Sequence, residues 1–489
     1  VTRGSLLIVL LLAPHLGCEV GPSAFDRAGP GLADTADVAE LPAIPEAVDV
    51  EPAADGLEGL VGPEPWADSI RPGPRQETGP EPGGRVAFAP GAPSERPAHI
   101  RGLYLNAWAS GSTRRVSELL DLARRTEINT FVIDIKDATG YVSHRTAVPL
   151  AHEIGATGEV RIRDLPGLLA RLADEGIYPI ARIVIVKDPL LAAAHPDMAV
   201  QDTAGGVFVD RKGIVWLNPY ETRVWDYHVE LAREVAELGF PEIQWDYVRF
   251  PDISPSDRAR AVYPGAGDTP LSDAIRGFLQ HSRERLAEAG IRVTADVFGI
   301  TTSASRDVGI GQVWESVVDA VDVVLPMVYP SHYWSGSFGY DEPNAFPYEV
   351  VKRAVEDALR RSAAVEGAGE TRPWLQAFTL GQPRYGAPEV RAQIQAAYDA
   401  GVQEWILWNP GSRYDEGALE PVGGFVSEPL IRVAGEIVEV SRRQAVLDSL
   451  AAVRDSLEAA AQAQDSGGVA PVEAPMPDTM TTEPPPRPR

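Results

Sequence analysis

Eight short apolar runs, at residues 101–108, 130–137, 178–187, 242–250, 291–298, 321–329, 373–379 and 403–409, are spaced along the chain. Amphipathic stretches at 114–126, 164–175, 221–238, 271–289, 347–361 and 388–400 stand ahead of most of them. Several of these stretches end in glycine just before the next run, at Gly176, Gly239, Gly290 and Gly401. Glycine closes a helix readily, and the chain can then enter a strand within a few residues. Eight strand–helix repeats in about 320 residues predict a (β/α)8 TIM barrel. A doubly wound open sheet alternates in the same way, but no glycine-rich phosphate loop follows the first run.

The repeats occupy residues 96–425. Ahead of them, residues 19–95 are rich in Pro, Gly and Ala, with 15 acidic and 4 basic residues. Such a segment cannot bury enough apolar surface to offset its ordering entropy, so a disordered tether is expected. The Pro-rich tail, 465–489, is expected to be disordered for the same reason. Residues 426–464 predict a helical segment, with apolar Leu430, Val433, Ile437 and Val440 three or four apart and part of it closing the barrel.

Residues 1–18 place Arg3 before an apolar run from Leu6 to Ala13, followed by Leu16-Gly17-Cys18. This run is too short to span a bilayer but suits a signal peptide. A small residue before Cys18 resembles the bacterial lipobox, although His15 stands where an aliphatic residue is usual. Lipidation of Cys18 and an exported, membrane-anchored lipoprotein of the bacterial cell envelope are therefore expected. Cys18 is the sole cysteine, which excludes an intramolecular disulfide or a cysteine-built zinc site. Neither a helical His pair with a nearby Glu nor a calcium-loop pattern occurs, so no metal or cofactor is expected. A net charge of −26 argues against nucleic acid as the main partner. No Gly-x-Ser-x-Gly elbow supports a serine nucleophile.

Strand alternation indicates which side chains face the barrel interior. Val293, Ala295 and Val297 suit the helices, leaving Thr294, Asp296 and Phe298 inward. In the same way Phe131, Ile133 and Ile135 face out while Val132, Asp134 and Lys136 face in. Gln244, Asp246 and Val248 share a face, as do Ile180, Arg182 and Val184, and Tyr104, Asn106 and Trp108. Asn106, Asp134, Lys136, Arg182, Asp246, Asp296 and Asn409 thus converge on one end. Buried charges are costly unless paired or used, so either an ion-pair layer or a reactive site is implied.

Paired carboxylates point to glycoside cleavage, which needs one protonated carboxyl as acid and one carboxylate as nucleophile or base. Asp246, with Arg249 nearby to favour its anion, suits the nucleophile, and Asp296, with apolar Phe298 nearby, suits the acid. Asp137 and Glu404 are reserve candidates for the acid. Trp108, Tyr329, His332, Tyr333 and Trp408 are candidate sugar contacts at the rim, whereas Trp245 and Trp374 are expected to pack against helices.

The segments RGLYLNAW, VIDIKDATG, EIQWDYVRFP, ADVFGITT, VLPMVYPSHY and ILWNPGSRY occur in this order across residues 98–422. Together they resemble bacterial barrels classed as candidate glycoside hydrolases and once catalogued as a domain of unknown function. That family is distantly similar to the α-amylase and α-galactosidase barrels. The resemblance implies a nucleophile at Asp246, at the end of strand four. It places Asp296 where amylase-like barrels usually carry Glu, which leaves the acid open. Two readings follow: a glycosidase acting on an extracytoplasmic polysaccharide or oligosaccharide, or a non-catalytic carbohydrate-binding or envelope-interaction protein. A lyase or deacetylase would need metal ligands or a Tyr/His/Lys base cluster that the chain does not display. If Cys18 carries the anchor, Cys18→Ser should move the protein from the membrane to the soluble fraction. Unchanged detergent partitioning would exclude lipidation there.

Overall fold

The computed structural model describes residues 95–466; the signal with Cys18, the tether and most of the tail lie outside the described residues. Eight strands follow in order: β1 (Arg101–Leu105), β2 (Thr130–Lys136), β3 (Tyr178–Val184), β4 (Glu242–Asp246), β5 (Arg292–Phe298), β6 (Val323–Met327), β7 (Trp374–Gln376) and β8 (Trp405–Trp408). Each pairs in parallel with the next, Trp374 bridges Met327 between β7 and β6, and Arg101 of β1 pairs with Trp405 of β8. The sheet is therefore a closed (β/α)8 barrel, as the alternation predicts.

The main helices are α1 (Thr113–Arg125), α2 (Leu165–Asp174), α3 (Thr222–Leu238), α4 (Leu271–Ala287), α5 (Pro347–Ser362), α6 (Ala387–Asp399) and α7 (Arg443–Ser466). Between β5 and β6 the helix is only Trp314–Val318. In α1 the hydroxyl of Ser112 accepts the Arg115 N–H, and Val116, Leu119, Leu120 and Ala123 recur on one buried side. Helix α3 stops at Gly239, whose φ of 120° is open to glycine and costly for other residues.

Two apolar layers result. Phe131, Ile133, Ile135, Val293, Ala295 and Val297 join the core between strands and helices. Tyr104, Val132, Ile180, Leu325, Trp374 and Ile406 fill the barrel interior. This is the parity expected from the strand alternation. It fails at the end of β5, where Phe298 packs against the outer core rather than facing in, and at two further places, each with a local cause. A bulge between Asp134 and Lys136 sets Lys136 opposite Ile183, a residue of the outer core. At the end of β4, Tyr247 takes φ 52°, and Val248 falls in the outer core rather than the interior. Except at β5, the strands also end earlier than the apolar runs, because the last residues of those runs already belong to the loops above the barrel.

Residues 426–464 are not helical throughout. β9 (Leu430–Val433) and β10 (Glu436–Glu439) form an antiparallel hairpin, and only α7 is a helix. Ala434 and Gly435, with φ of 55° and 77°, form the tight turn between them. Ile431, Val433 and Val438 are buried while Leu430 and Ile437 are exposed, a period of two that three-and-four spacing had masked. The hairpin packs on α5 and α6, and the start of α7 joins α6 through Arg443 and Asp399.

At the N-terminal end of the barrel, Arg372 donates to Glu242 (2.5 Å) and to Glu404 (2.9 Å). Arg96 also reaches Glu404, at 2.7 Å. Arg372 and Glu242 are completely buried, so this cation neutralises a carboxylate that water cannot reach. Arg372→Met should lower the unfolding free energy by about 3–5 kcal/mol, as expected when one partner of a buried pair is lost. Chemical denaturation measures this, and a loss below ~1 kcal/mol would show that the pair contributes little.

Candidate active site

Parallel register assembles the site. Asp134 of β2 lies opposite Arg182 of β3, and Val184 of β3 opposite Asp246 of β4. Trp245 pairs with Ala295, which makes the next positions, Asp246 and Asp296, neighbours on strands about 4.8 Å apart. Arg182 Nη1 donates to Asp134 Oδ1 at 2.5 Å, and its Nε donates to Asp246 Oδ2 at 2.9 Å. Its Nη2 also donates to Asp246 Oδ2. The Tyr104 hydroxyl donates to Asp134 Oδ2 at 2.5 Å, and the Tyr247 N–H to Asp246 Oδ1 at 2.5 Å. Donors thus meet both oxygens of Asp246 and of Asp134.

Asp296 has a different environment. Gln244 Nε2 donates to its oxygens at 2.9 and 3.0 Å, and Trp374 Nε1 donates to Oδ1 at 2.7 Å. Among the described residues no cation bonds to it. Burial, and then the charge of Asp246, push its carboxyl well above the usual carboxylate range, against an opposing pull from Arg182. Among the described residues Gln244 Oε1 is buried without a partner, and with the amide turned over it would accept a hydrogen bond from protonated Asp296. Asp134 is pushed up to about 6, chiefly by burial. A carboxyl raised on folding contributes stability that is complete below its unfolded value near 3.8 and is lost as pH rises through about 6.

Aromatic rings roof this arrangement. Tyr329 stacks on Trp408 with centroids 5.7 Å apart, and Phe378 meets both edge-on. His332 lies 5.3 Å from Tyr329, and burial lowers its pKa to about 4, so it is neutral at pH 7. Burial, then Asp296 and Asp246, raise the Tyr329 phenol well above its ordinary value, which keeps it protonated beside both carboxyls.

Residues 102–414 match the family described as "Putative glycosyl hydrolase domain". The chain belongs to that family. The match runs from β1 to the loop after β8, and it includes every carboxyl described above. No curated protein matches the chain. Among solved structures, the chain is similar to a hypothetical protein from Ruminiclostridium thermocellum, at 38% identity over 40% of this chain and 97% of that one, with a TM-score of 0.37. It is also similar to the PgaB (BpsB) glycoside hydrolase domain from Bordetella bronchiseptica, at 14% identity over 65% of this chain and 95% of that one, with a TM-score of 0.46. A third is the α-galactosidase TtGalA from Thermus thermophilus, at 16% identity over 66% and 60% of the two chains, with a TM-score of 0.38. Likenesses of this order bear on neither substrate nor mechanism.

Within this glycosyl hydrolase domain, Asp134, Arg182, Asp246, Asp296, Tyr329, His332 and Trp408 come together as expected. Other candidates do not. Lys136 is turned out by the bulge and pairs with Asp188 at 2.9 Å. Arg249 pairs with Asp252 at 2.8 Å and stacks over Phe298, so the cation on Asp246 is Arg182 instead. Asp137 is held by Arg161 at 2.6 Å and caps the Thr139 N–H, and Glu404 lies at the opposite end of the barrel from Asp246. Asn106 caps the short helix Ala107–Ser110 and donates to the Pro410 carbonyl. Asn409 donates to Ala377 O and accepts from the Gly411 N–H, so it shapes its own loop. Tyr333 packs into the outer core against Phe338. Trp108 sits 57% exposed on that short helix with Arg161 beneath its ring.

Trp245 does pack on α4, donating to Ser282, but Trp374 points inward to Asp296 and was missed as a site residue. The alternation of Trp374 and Gln376 about Leu375 could have revealed it, though a three-residue strand gives little pattern. Gln244, two positions before Asp246 on the same face, carried a clearer signal. Removing the Asp246 charge with Asp246→Asn should lower the pKa of Asp296, since one of its two upward causes disappears. Carboxyl-carbon NMR titration can follow this, and an unmoved or raised Asp296 would show that the two groups do not interact.

Proposed function

We propose that this barrel hydrolyses glycosidic bonds in an extracytoplasmic polysaccharide or oligosaccharide, with Asp246 as nucleophile and Asp296 as general acid. The observation that carries the reading is the contrast between two neighbouring carboxyls: one is met by a guanidinium and an amide, while burial and the neighbouring charge push the other well above the usual carboxylate range. Such a divergence is how two like groups come to act as base and acid at one pH. In this scheme Asp296 gives its proton to the glycosidic oxygen as that bond breaks, and Asp246 attacks the anomeric carbon. Asp296 then takes a proton from water, which displaces Asp246 and releases the sugar. In-register positions on adjacent strands suit this direct attack, which needs carboxyls about 5–5.5 Å apart, better than a water-mediated one at about 6.5–9.5 Å. Arg182 orients Asp246, and the partly exposed Trp408 offers a face for a sugar ring. The enzyme would work in the cell envelope, held by a lipid on Cys18.

The burial of both carboxyls, 5% and 2% exposed, favours the second reading, a glycan-binding barrel without turnover. Kinetics on aryl glycosides and polysaccharides separates the two. Asp246→Asn should reduce turnover about a thousandfold or more, roughly 4 kcal/mol in the transition state, while glycan binding persists. Asp296→Asn should spare aryl glycosides with good leaving groups and impair natural glycans. Wild-type protein that binds glycans and cleaves none of them would establish the binding-only reading.

A further inference from the structure

Two hollows outside the carboxylate site open among the loops that follow β7, β8 and β1. One, of about 310 Å3, is lined by Thr379, Arg384, Tyr385, Asn409 and Arg413 among others. The second, of about 400 Å3, is lined by Trp108, Ser112, Arg115 and again Arg413. Arg413 is common to both, so the hollows adjoin at its side chain. Volumes of this size suit one or two sugar units each.

The arginines are the informative groups. Arg114 and Arg115 of the second hollow are already paired with Glu118. Arg384 and Arg413 are exposed, and among the described residues their guanidinium groups make no ion pair or hydrogen bond. The one carboxylate lining their hollow is Asp415, whose Oδ1 accepts the Gly417 N–H. On a chain of net charge −26, two such cations in one concavity run against the prevailing sign.

Both are held on built loops. The turn bearing Arg413 has Asn409 Oδ1 accepting from the Gly411 and Arg413 N–H groups. Ser412 within it takes φ 51°, a conformation serine seldom adopts. It is fixed there by the Asn106 N–H, which donates to Ser412 Oγ at 3.0 Å. The loop bearing Arg384 is pinned by Asn344 Nδ2, which donates to the carbonyls of Leu380 and Gln382. Next to Arg413, Trp108 presents an open indole face, with the Arg161 guanidinium 5.1 Å from its ring on the other side.

We infer that this rim binds an acidic glycan, with Arg384 and Arg413 pairing the carboxylate of a uronic acid unit and Trp108 stacking on an adjoining sugar. The planar fork of arginine matches a carboxylate, and an aromatic face beside it suits the C–H side of a pyranose. The inference deepens the glycosidase reading and rests on it for the substrate class, but binding alone can test it.

Binding of the full chain to a polyuronate, its methyl ester, a sulfated glucan and an uncharged glucan would be measured by calorimetry at two salt concentrations. Wild-type protein should prefer the polyuronate to its ester. The double variant Arg384→Ala/Arg413→Ala should bind the polyuronate roughly tenfold or more weakly with unchanged thermal unfolding. Lysine at both positions should restore only part of the affinity. Equal binding of ester and acid, equal binding of the sulfated glucan, or a double variant that binds like wild type would overturn the inference. Asp246→Asn serves as the complementary control: it should abolish hydrolysis and keep polyuronate binding. Binding without cleavage would refute the glycosidase reading and leave this site standing, whereas cleavage of uncharged glycans without polyuronate binding would do the reverse.

Discussion

A single guanidinium, that of Arg182, is shared between Asp134 and Asp246 inside the barrel, and Asp296 lies beside them without a cation of its own. Three carboxyls against one cation would leave this interior with two surplus negative charges if all were ionised. Water can hardly reach it, so retaining protons costs less than holding that charge. Burial raises both Asp134 and Asp296, and the repulsion from Asp246 adds to the rise at Asp296. A carboxyl raised above its usual range beside an ion-paired carboxylate is thus a consequence of charge balance in a closed space. The aromatic roof of Tyr329, Phe378 and Trp408 contributes by keeping that space dry.

The opposite end of the barrel follows the same rule to a different end. There Arg372 and Arg96 stand against Glu242 and Glu404, so cations and carboxylates match and the layer is fixed. One end of the cylinder is neutralised and inert, while the other is left short of positive charge. Sites in barrels of this type lie at the C-terminal ends of the strands, where loops supply substrate contacts without disturbing the strands below.

The barrel was legible because strand alternation and helix-ending glycines such as Gly239 and Gly401 are local signals. The carboxylate pair was legible because parity alone put Asp246 and Asp296 inward. The mistaken candidates fail where one residue changes the parity. The bulge after Asp134 took Lys136 out of the site, and the left-handed Tyr247 moved Val248. Asn106 and Asn409 lie just beyond strand ends, where side chains cap turns and alternation no longer applies. Charge partners are the least legible of all. Arg249 is near Asp246 in sequence, but Arg182 reaches it from the neighbouring strand. The hairpin at Leu430–Glu439 was concealed because apolar residues three and four apart also fit two short strands joined by an Ala434-Gly435 turn.

Tyr247 directly follows Asp246, and its left-handed backbone aims its N–H at the Asp246 carboxylate. A bulky residue in that conformation is strained, typically by about 1–3 kcal/mol, and the surrounding fold has to hold it there. Glycine at 247 would relieve the strain, but it would also remove the ring over which Lys187 and Arg249 lie. Relief of the backbone strain and loss of those two ring contacts would therefore act on stability in opposite directions at this position. The tyrosine marks a place where the protein has kept a less comfortable backbone in return for a ring that two cations share.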